Sequence, residues 1–261
     1  MFSKLFKRKE PAKIATTPPG EQLFAIGDVH GRLDLLNELL AIILADCHDQ
    51  ARRGIRSHIV MLGDYVDRGQ SSAQVVERLM ALQEEWPETI LLRGNHEQIM
   101  LEVLGERPDL ETFESWLHYG GRETLISYGL TLQDVFNENS QLILNKARRA
   151  IPQAHVEWMS RLKNNWQRGD YYFTHAGVRP GIALAEQRPH DLLWIREPFL
   201  SSREDFGMVV VHGHSVSNSV DDRPNRIGID TGAYASGVLT AVRLTEDGSR
   251  SFVDTRVLTR A

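Results

Sequence analysis

Short apolar runs and longer amphipathic stretches alternate along the first third of the chain. Residues 22–27 (QLFAIG) form an apolar run closed by glycine, which reads as a strand. Residues 33–46 (LDLLNELLAIILAD) set Leu36, Leu39, Leu40, Ile43 and Leu44 at helical intervals. Residues 58–63 (HIVMLG) predict a second strand, 71–85 (SSAQVVERLMALQEE) a second helix with Ser71 or Ser72 able to cap it, and 89–92 (TILL) a third strand. This β-α-β-α-β order predicts a layered α/β core with parallel strands. From about 97 to 165 the pattern is mainly helical, with Pro152 suited to a first helical turn. Strand-like runs return at 170–174, 207–211, 226–229, 237–244 and 251–256, and the close spacing of the last three predicts antiparallel pairing. The expected organisation is one domain over 21–261, with the helical segment inserted between two halves of its core, behind a flexible tail at 1–20.

The polar residues fall at the ends of these strands. The run at 22–27 leads into Asp28 and His30, and that at 58–63 into Asp64, Asp67 and Arg68. The run at 89–92 leads into Asn95 and His96, 170–174 into His175, and 207–211 into His212 and His214. Carboxyl ends of parallel strands open on a common crevice, so these groups are expected to converge. Burying Asp28, Asp64 and Asp67 together without cations would be costly through desolvation and like-charge repulsion. Carboxylate, imidazole and amide-carbonyl donors together suit borderline divalent ions, manganese foremost, with iron, zinc, cobalt or nickel as alternatives. A pair of ions needs a bridging carboxylate, and Asp64, central in the set, is the candidate.

Composition adds exclusions. The 261 residues are 41% apolar and 25% charged, close to globular averages. A net charge of -5 gives no overall electrostatic case for a nucleic-acid partner. The one cysteine, Cys47, lies in a helical pattern, excludes an internal disulfide and fits a reducing compartment, hence a cytoplasmic location. No apolar run is long enough to cross a membrane. The first thirteen residues carry Lys4, Lys7, Arg8, Lys9 and Lys13 with no apolar region behind them, a basic solubilising tail rather than a signal peptide. Phe2, Leu5 and Phe6 beside those lysines leave weak contact with an anionic membrane as the alternative.

The segments GDVHG (27–31), GDYVDRG (63–69) and GNHE (94–97) resemble the metal-dependent phosphoprotein phosphatases, within the calcineurin-like metallophosphoesterases. HAG (175–177), LLWIREPF (192–199), VVHGHS (210–215) and IDTGAY (229–234) are similar to the bacterial and phage-type serine/threonine branch. The resemblance implies a β-sandwich of two mixed sheets flanked by helices, with the site at the strand ends. It implies that Asp28 and His30 hold one metal, Asn95, His175 and His214 the other, and that Asp64 bridges. It further implies that His96 is the general acid, that Asp67 orients it, and that Arg68 and Arg196 bind phosphate. The expected substrates are phosphoserine and phosphothreonine in proteins. Diadenosine tetraphosphate, split symmetrically to ADP, and a broad range of small phosphoesters are the alternatives. His212 is expected to be a packed histidine with a place near the centre left open, and Asp230 a structural acid or one beside the ligands. The aromatics of WLHYGGRETLISYG (116–129) are expected either to pack or to stack on adenine.

Overall fold

The computed structural model describes residues 14–256, so the basic segment 1–13 and its membrane alternative lie outside the described residues. The chain opens with β1 (Glu21–Ile26), α1 (Leu33–Arg52), β2 (Arg56–Met61), α2 (Ser72–Glu85) and β3 (Thr89–Leu91), in the expected order. The helices α3 (Asn95–Leu104), α4 (Leu110–Trp116), α5 (Arg122–Ser127), α6 (Leu132–Val135), α7 (Ser140–Ala150) and α8 (Gln153–Ser160) follow. The second half holds β4 (Asn165–Arg168), β5 (Tyr171–Thr174), α9 (Pro189–Trp194), β6 (Val209–His212), β7 (Asp221–Asp222), β8 (Arg226–Gly228), α10 (Ala233–Ser236), β9 (Thr240–Thr245) and β10 (Arg250–Asp254).

Among the described residues ten strands make two five-stranded mixed sheets, ordered β10-β9-β1-β2-β3 and β4-β5-β6-β8-β7. The alternation of side chains along β1 explains the layering. Phe24 and Ile26 join Ile59 and Met61 under Leu36, Leu39, Leu40, Ile43 and Cys47 of α1. Leu23 and Ala25 face the other way, with Val60, onto Tyr171, Phe173, Val209, Val211 and Ile227 of the second sheet. The outer face of that sheet, through Tyr172 and Val210, is covered by Leu192, Ile195 and Phe199. Both faces of the central strands are therefore buried, and they read as continuous apolar runs instead of alternating ones. Helices α3 to α8 gather a separate apolar cluster around Val103, Phe113, Trp116, Leu125, Leu144 and Met159.

Three expectations change. The run at 226–229 does not pair with the strands after it; β8 lies parallel to β6 in the second sheet, while β9 and β10 form a hairpin in the first. The local Asp247–Gly248 turn favours that hairpin, whereas Ile227 and Ile229 are buried in the apolar layer between the sheets. Ser71 and Ser72 leave α2 without a side-chain cap; Ser72 Oγ instead accepts the Asp67 N–H at 3.0 Å. Residues 14–20 are fastened rather than loose. Thr16 N–H donates to the Asp170 carboxylate, Thr17 N–H to the Thr245 carbonyl, and the Tyr171 hydroxyl to the Ala15 carbonyl.

Candidate metal centre and catalytic site

The parallel strands β1, β2 and β3 of one sheet and β5 and β6 of the other deliver their carboxyl-end loops to one rim of the sandwich. Backbone strain concentrates there. Among the described residues the non-glycine positions with positive φ are His30, Asp64, Asp67, Arg68 and His214, all of them candidate site residues. Such conformations persist only where the surroundings over-determine them, and they mark functional loops. The packing is correspondingly close: a Cβ on Gly213 would lie 2.0 Å from Asp28 Oδ1, so only glycine lets that loop reach the carboxylate.

Among the described residues two groups of buried side chains can hold a metal ion, His30–Asp64–His96 and Asp64–His175–His214. Asp64 is common to both and divides its oxygens between them. Oδ2 lies 3.5 Å from His30 Nε2, and Oδ1 lies 3.4 Å from His175 Nε2. The imidazoles are set up to ligate. His30 Nδ1 is 2.9 Å from the Val66 carbonyl and His175 Nδ1 is 2.9 Å from that of Leu62. A carbonyl only accepts, so Nδ1 carries the proton and Nε2 presents a bare electron pair to the centre. Burial keeps these rings neutral, pushing His30 and His214 down to about 3 and lowering His175 as well. Asn95 Oδ1 completes the second group, 2.8 Å from His175 Nε2 and 2.9 Å from His214 Nδ1. The bare His175 Nε2 and the amide oxygen at that separation repel each other, and a shared cation would turn the contact into ligation. The donor set thus fits a borderline divalent ion.

Asp28 reaches the same floor but stands in neither group; its oxygens accept the His214 N–H at 3.2 and 3.0 Å. Burial, together with the charges of Asp230 and Asp64, holds its carboxyl well above the usual range. Asp230, also buried and pushed up to about 6 by burial, accepts the Gly232 N–H at 2.9 Å. A cation beside Asp28 relieves the same repulsion that raises it. His212 is a packed histidine, its ring centroid 5.0 Å from that of Phe199 in an edge-to-face contact, and it stands outside both metal-capable groups.

His96 differs from the other site histidines. Its Nδ1 meets Asp67 Oδ2 at 2.6 Å, and its Nε2 lies 3.9 Å from Asp64 Oδ2. Burial alone would lower it, but Asp64 and Asp67 outweigh that and push it up to about 9, against the opposing charge of Arg68. A histidine protonated at neutral pH can donate a proton, whereas ligating an ion of the first group would require it neutral. Arg68 Nη1 and Nη2 lie 3.0 Å from His30 Nε2 and 3.1 Å from His96 Nε2, with the guanidinium 4.6 Å over the Tyr234 ring. Arg196, exposed at the mouth, donates to the His214 carbonyl and to Ser215 Oγ, both at 3.2 Å. The two arginines therefore flank the centre.

One organising residue escaped the sequence reading. Glu97 is fully buried, and its carboxylate accepts backbone N–H bonds from Asp64 (2.9 Å), Tyr65 (2.7 Å), Val66 (3.2 Å) and Gly94 (2.9 Å). It ties the loop after β2 to the start of α3. Burial and Asp64 push it up to about 7 against the pull of those donors. Its place in GNHE was the available signal, but backbone hydrogen bonding of a distant loop leaves no mark in sequence. Glu97→Gln would turn an amide N–H2 toward backbone N–H groups, leaving buried donors unmatched. The expected cost is about 2–4 kcal/mol, read as a thermal midpoint lowered by about 5–10 °C. A midpoint equal to wild type would contradict this role.

A cavity of 760 Å³ lined by Asp170, Met208, Arg223 and Arg226 lies at the opposite, amino ends of β5, β6 and β8, away from this chemistry.

The family model described as calcineurin-like phosphoesterase matches residues 22–235, and the chain belongs to that family. It is a metallophosphoesterase with histidine and aspartate groups able to bind metal. Solved structures share the fold. A candidate diadenosine tetraphosphatase is 19% identical with a TM-score of 0.63, over 94% of this chain and 98% of that one. A Saccharomyces cerevisiae protein serine/threonine phosphatase, described as similar to human phosphatase PP5, is 16% identical with a TM-score of 0.54, over 91% and 80%. A cold-active protein tyrosine phosphatase is 21% identical with a TM-score of 0.51, over 94% and 83%. Among the described residues no helix is long and apolar enough to cross a membrane.

Proposed function

We propose that this chain hydrolyses phosphate monoesters at a centre of two divalent cations, manganese foremost, with phosphoserine and phosphothreonine in proteins as the substrates. The observation that carries the reading is the division of the Asp64 carboxylate, one oxygen toward His30 and the other toward His175. Asp28 and His30 would hold one cation and Asn95, His175 and His214 the other, with Asp64 shared between them. When bound, the cations supply Lewis acidity toward the phosphoryl group and a nucleophilic water at neutral pH.

The remaining steps belong to the side chains. Arg68 and Arg196 grip non-bridging phosphoryl oxygens with charge-assisted bonds and offset the negative charge of the transition state. His96 gives the proton of its Nε2 to the ester oxygen as the P–O bond breaks, so that serine or threonine leaves as the alcohol and not as the alkoxide. Asp67, bonded to Nδ1, fixes the ring and stabilises its charged form. Cys47 is buried in α1, where burial pushes its thiol up to about 11, so it takes no part as a nucleophile.

The protein reading is favoured over the dinucleotide one by the openness of the site at Arg196. Among the aromatics at 116–129, Trp116 is buried with its indole N–H on Asp67 and the Tyr128 hydroxyl meets His155 at 2.9 Å, whereas Tyr119 is exposed and free to stack. Arg196 stands exposed at the mouth, where an extended chain can reach it. The test offers the metal-loaded protein a phosphothreonine peptide and diadenosine tetraphosphate side by side. Phosphate release from the peptide with kcat/KM at least about tenfold above the dinucleotide is expected, a gap of about 1.4 kcal/mol. Exclusive cleavage of the dinucleotide to ADP would reverse the assignment.

A further inference from the structure

The acid that protonates the leaving group is only as good as its aim, and the helical segment after α3 does the aiming. The Asp67 carboxylate is fully buried, and both of its oxygens are occupied. Oδ2 accepts His96 Nδ1 at 2.6 Å and also the Trp116 indole N–H at 2.9 Å. Oδ1 accepts the Thr124 hydroxyl at 2.6 Å. The Asp67 N–H in turn donates to Thr124 Oγ1 at 2.8 Å, which locks the residue at its positive φ of 72°. Trp116 and Thr124 are themselves fully or almost fully buried, so neither bond competes with water.

An unbroken helix could not make both bonds. Residues eight apart stand about 12 Å apart along a helix axis, whereas these two converge on one carboxylate. The chain solves this with a π-helical turn at Leu117–Gly121, kinked where Tyr119 and Gly120 leave helical backbone angles. Gly120 takes φ 115°, and a Cβ there would lie 2.4 Å from Arg68 N. Its carbonyl accepts the Arg68 N–H at 3.3 Å. A single short segment therefore grips the Asp67–Arg68 step by two side chains and one carbonyl.

We infer that Trp116 and Thr124 are positioning residues for proton donation, holding the Asp67 carboxylate in the plane that directs His96 at the ester oxygen. The inference rests on the general-acid role of His96 proposed above. Trp116→Phe keeps a ring against Phe113 and removes the N–H donor along with part of the indole; Thr124→Val keeps the shape and removes only the hydroxyl. Each should slow hydrolysis of an alkyl phosphate by about 10- to 100-fold and of p-nitrophenyl phosphate by no more than about threefold. Thr124→Ser should restore the alkyl rate to within about threefold of wild type. In a His96→Asn background, neither substitution should cost more than about a further twofold on the alkyl ester, because the group it positions is gone. Equal losses on both esters, or a full further loss in the His96→Asn background, would overturn the positioning role. The two levels separate cleanly. If His96→Asn alone affects both esters equally, the acid role falls and this inference with it. If His96→Asn discriminates between the esters while Trp116→Phe and Thr124→Val do not, only the positioning role falls.

Discussion

Asp64→Asn is expected to strip the centre of its metal. The wild-type protein, dialysed against manganese, should hold about two ions per chain, and the variant less than about one. The reason is geometric. Asp64 alone belongs to both metal-capable groups, with one oxygen turned to each. An asparagine offers one neutral carbonyl oxygen and would turn an N–H2 group toward either His30 or His175, whose inward nitrogens carry electron pairs and no proton. Turnover of any phosphate ester should fall by at least about 10³-fold, since transition-state charge then loses its main counter-charge. Metal analysis checks the claim independently of activity. A variant that still retains two tightly bound ions would refute the bridge.

His96→Asn should behave in the opposite way. His96 is no ligand in this account, so metal content stays near wild type. Hydrolysis of an alkyl phosphate should fall by about 10²–10⁴-fold, the range that proton transfer to a poor leaving group contributes. The loss on p-nitrophenyl phosphate should be about tenfold at most, because that phenolate departs without help. The sign of the pH effect follows from the raised value at His96. The protonated ring is the active form, so the alkyl-ester rate is full at neutral pH and declines as pH rises toward and past about 9. The variant should lack that alkaline limb. Equal losses on the two esters, or an unchanged limb, would remove His96 from the proton-transfer step.

Much of the site was legible because it is built from strand ends. Asp28, Asp64, Asn95, His175 and His214 each follow an apolar run by only a residue or a few, and parallel pairing brings such positions together wherever the strands share a rim. The first sheet was legible for the same reason: β1, α1, β2, α2 and β3 carry their periodicity in local sequence. The pairing of β8 was not. Its three residues, Arg226–Gly228, contain no local signal that separates a hairpin from a place beside β6, and the apolar surface between the sheets decided it. The contacts of Trp116, Thr124 and Glu97 were illegible for a related reason. Each acts on a loop 30 to 60 residues away, by hydrogen bonds that leave no periodic trace. The aromatic and polar residues of 116–129 could be read only as packing or stacking, because the π-helical turn that aims them shows itself only in the fold.

The central claim is that one carboxylate joins two cations at the meeting point of the two sheets. Anomalous diffraction from crystals soaked in manganese tests it most directly. The account predicts two peaks about 3.5–4 Å apart, one on each side of Asp64, the first against His30 and Asp28 and the second against Asn95, His175 and His214. A single ion that touches neither Asp64 oxygen, or ions bound only at other surfaces, would contradict it.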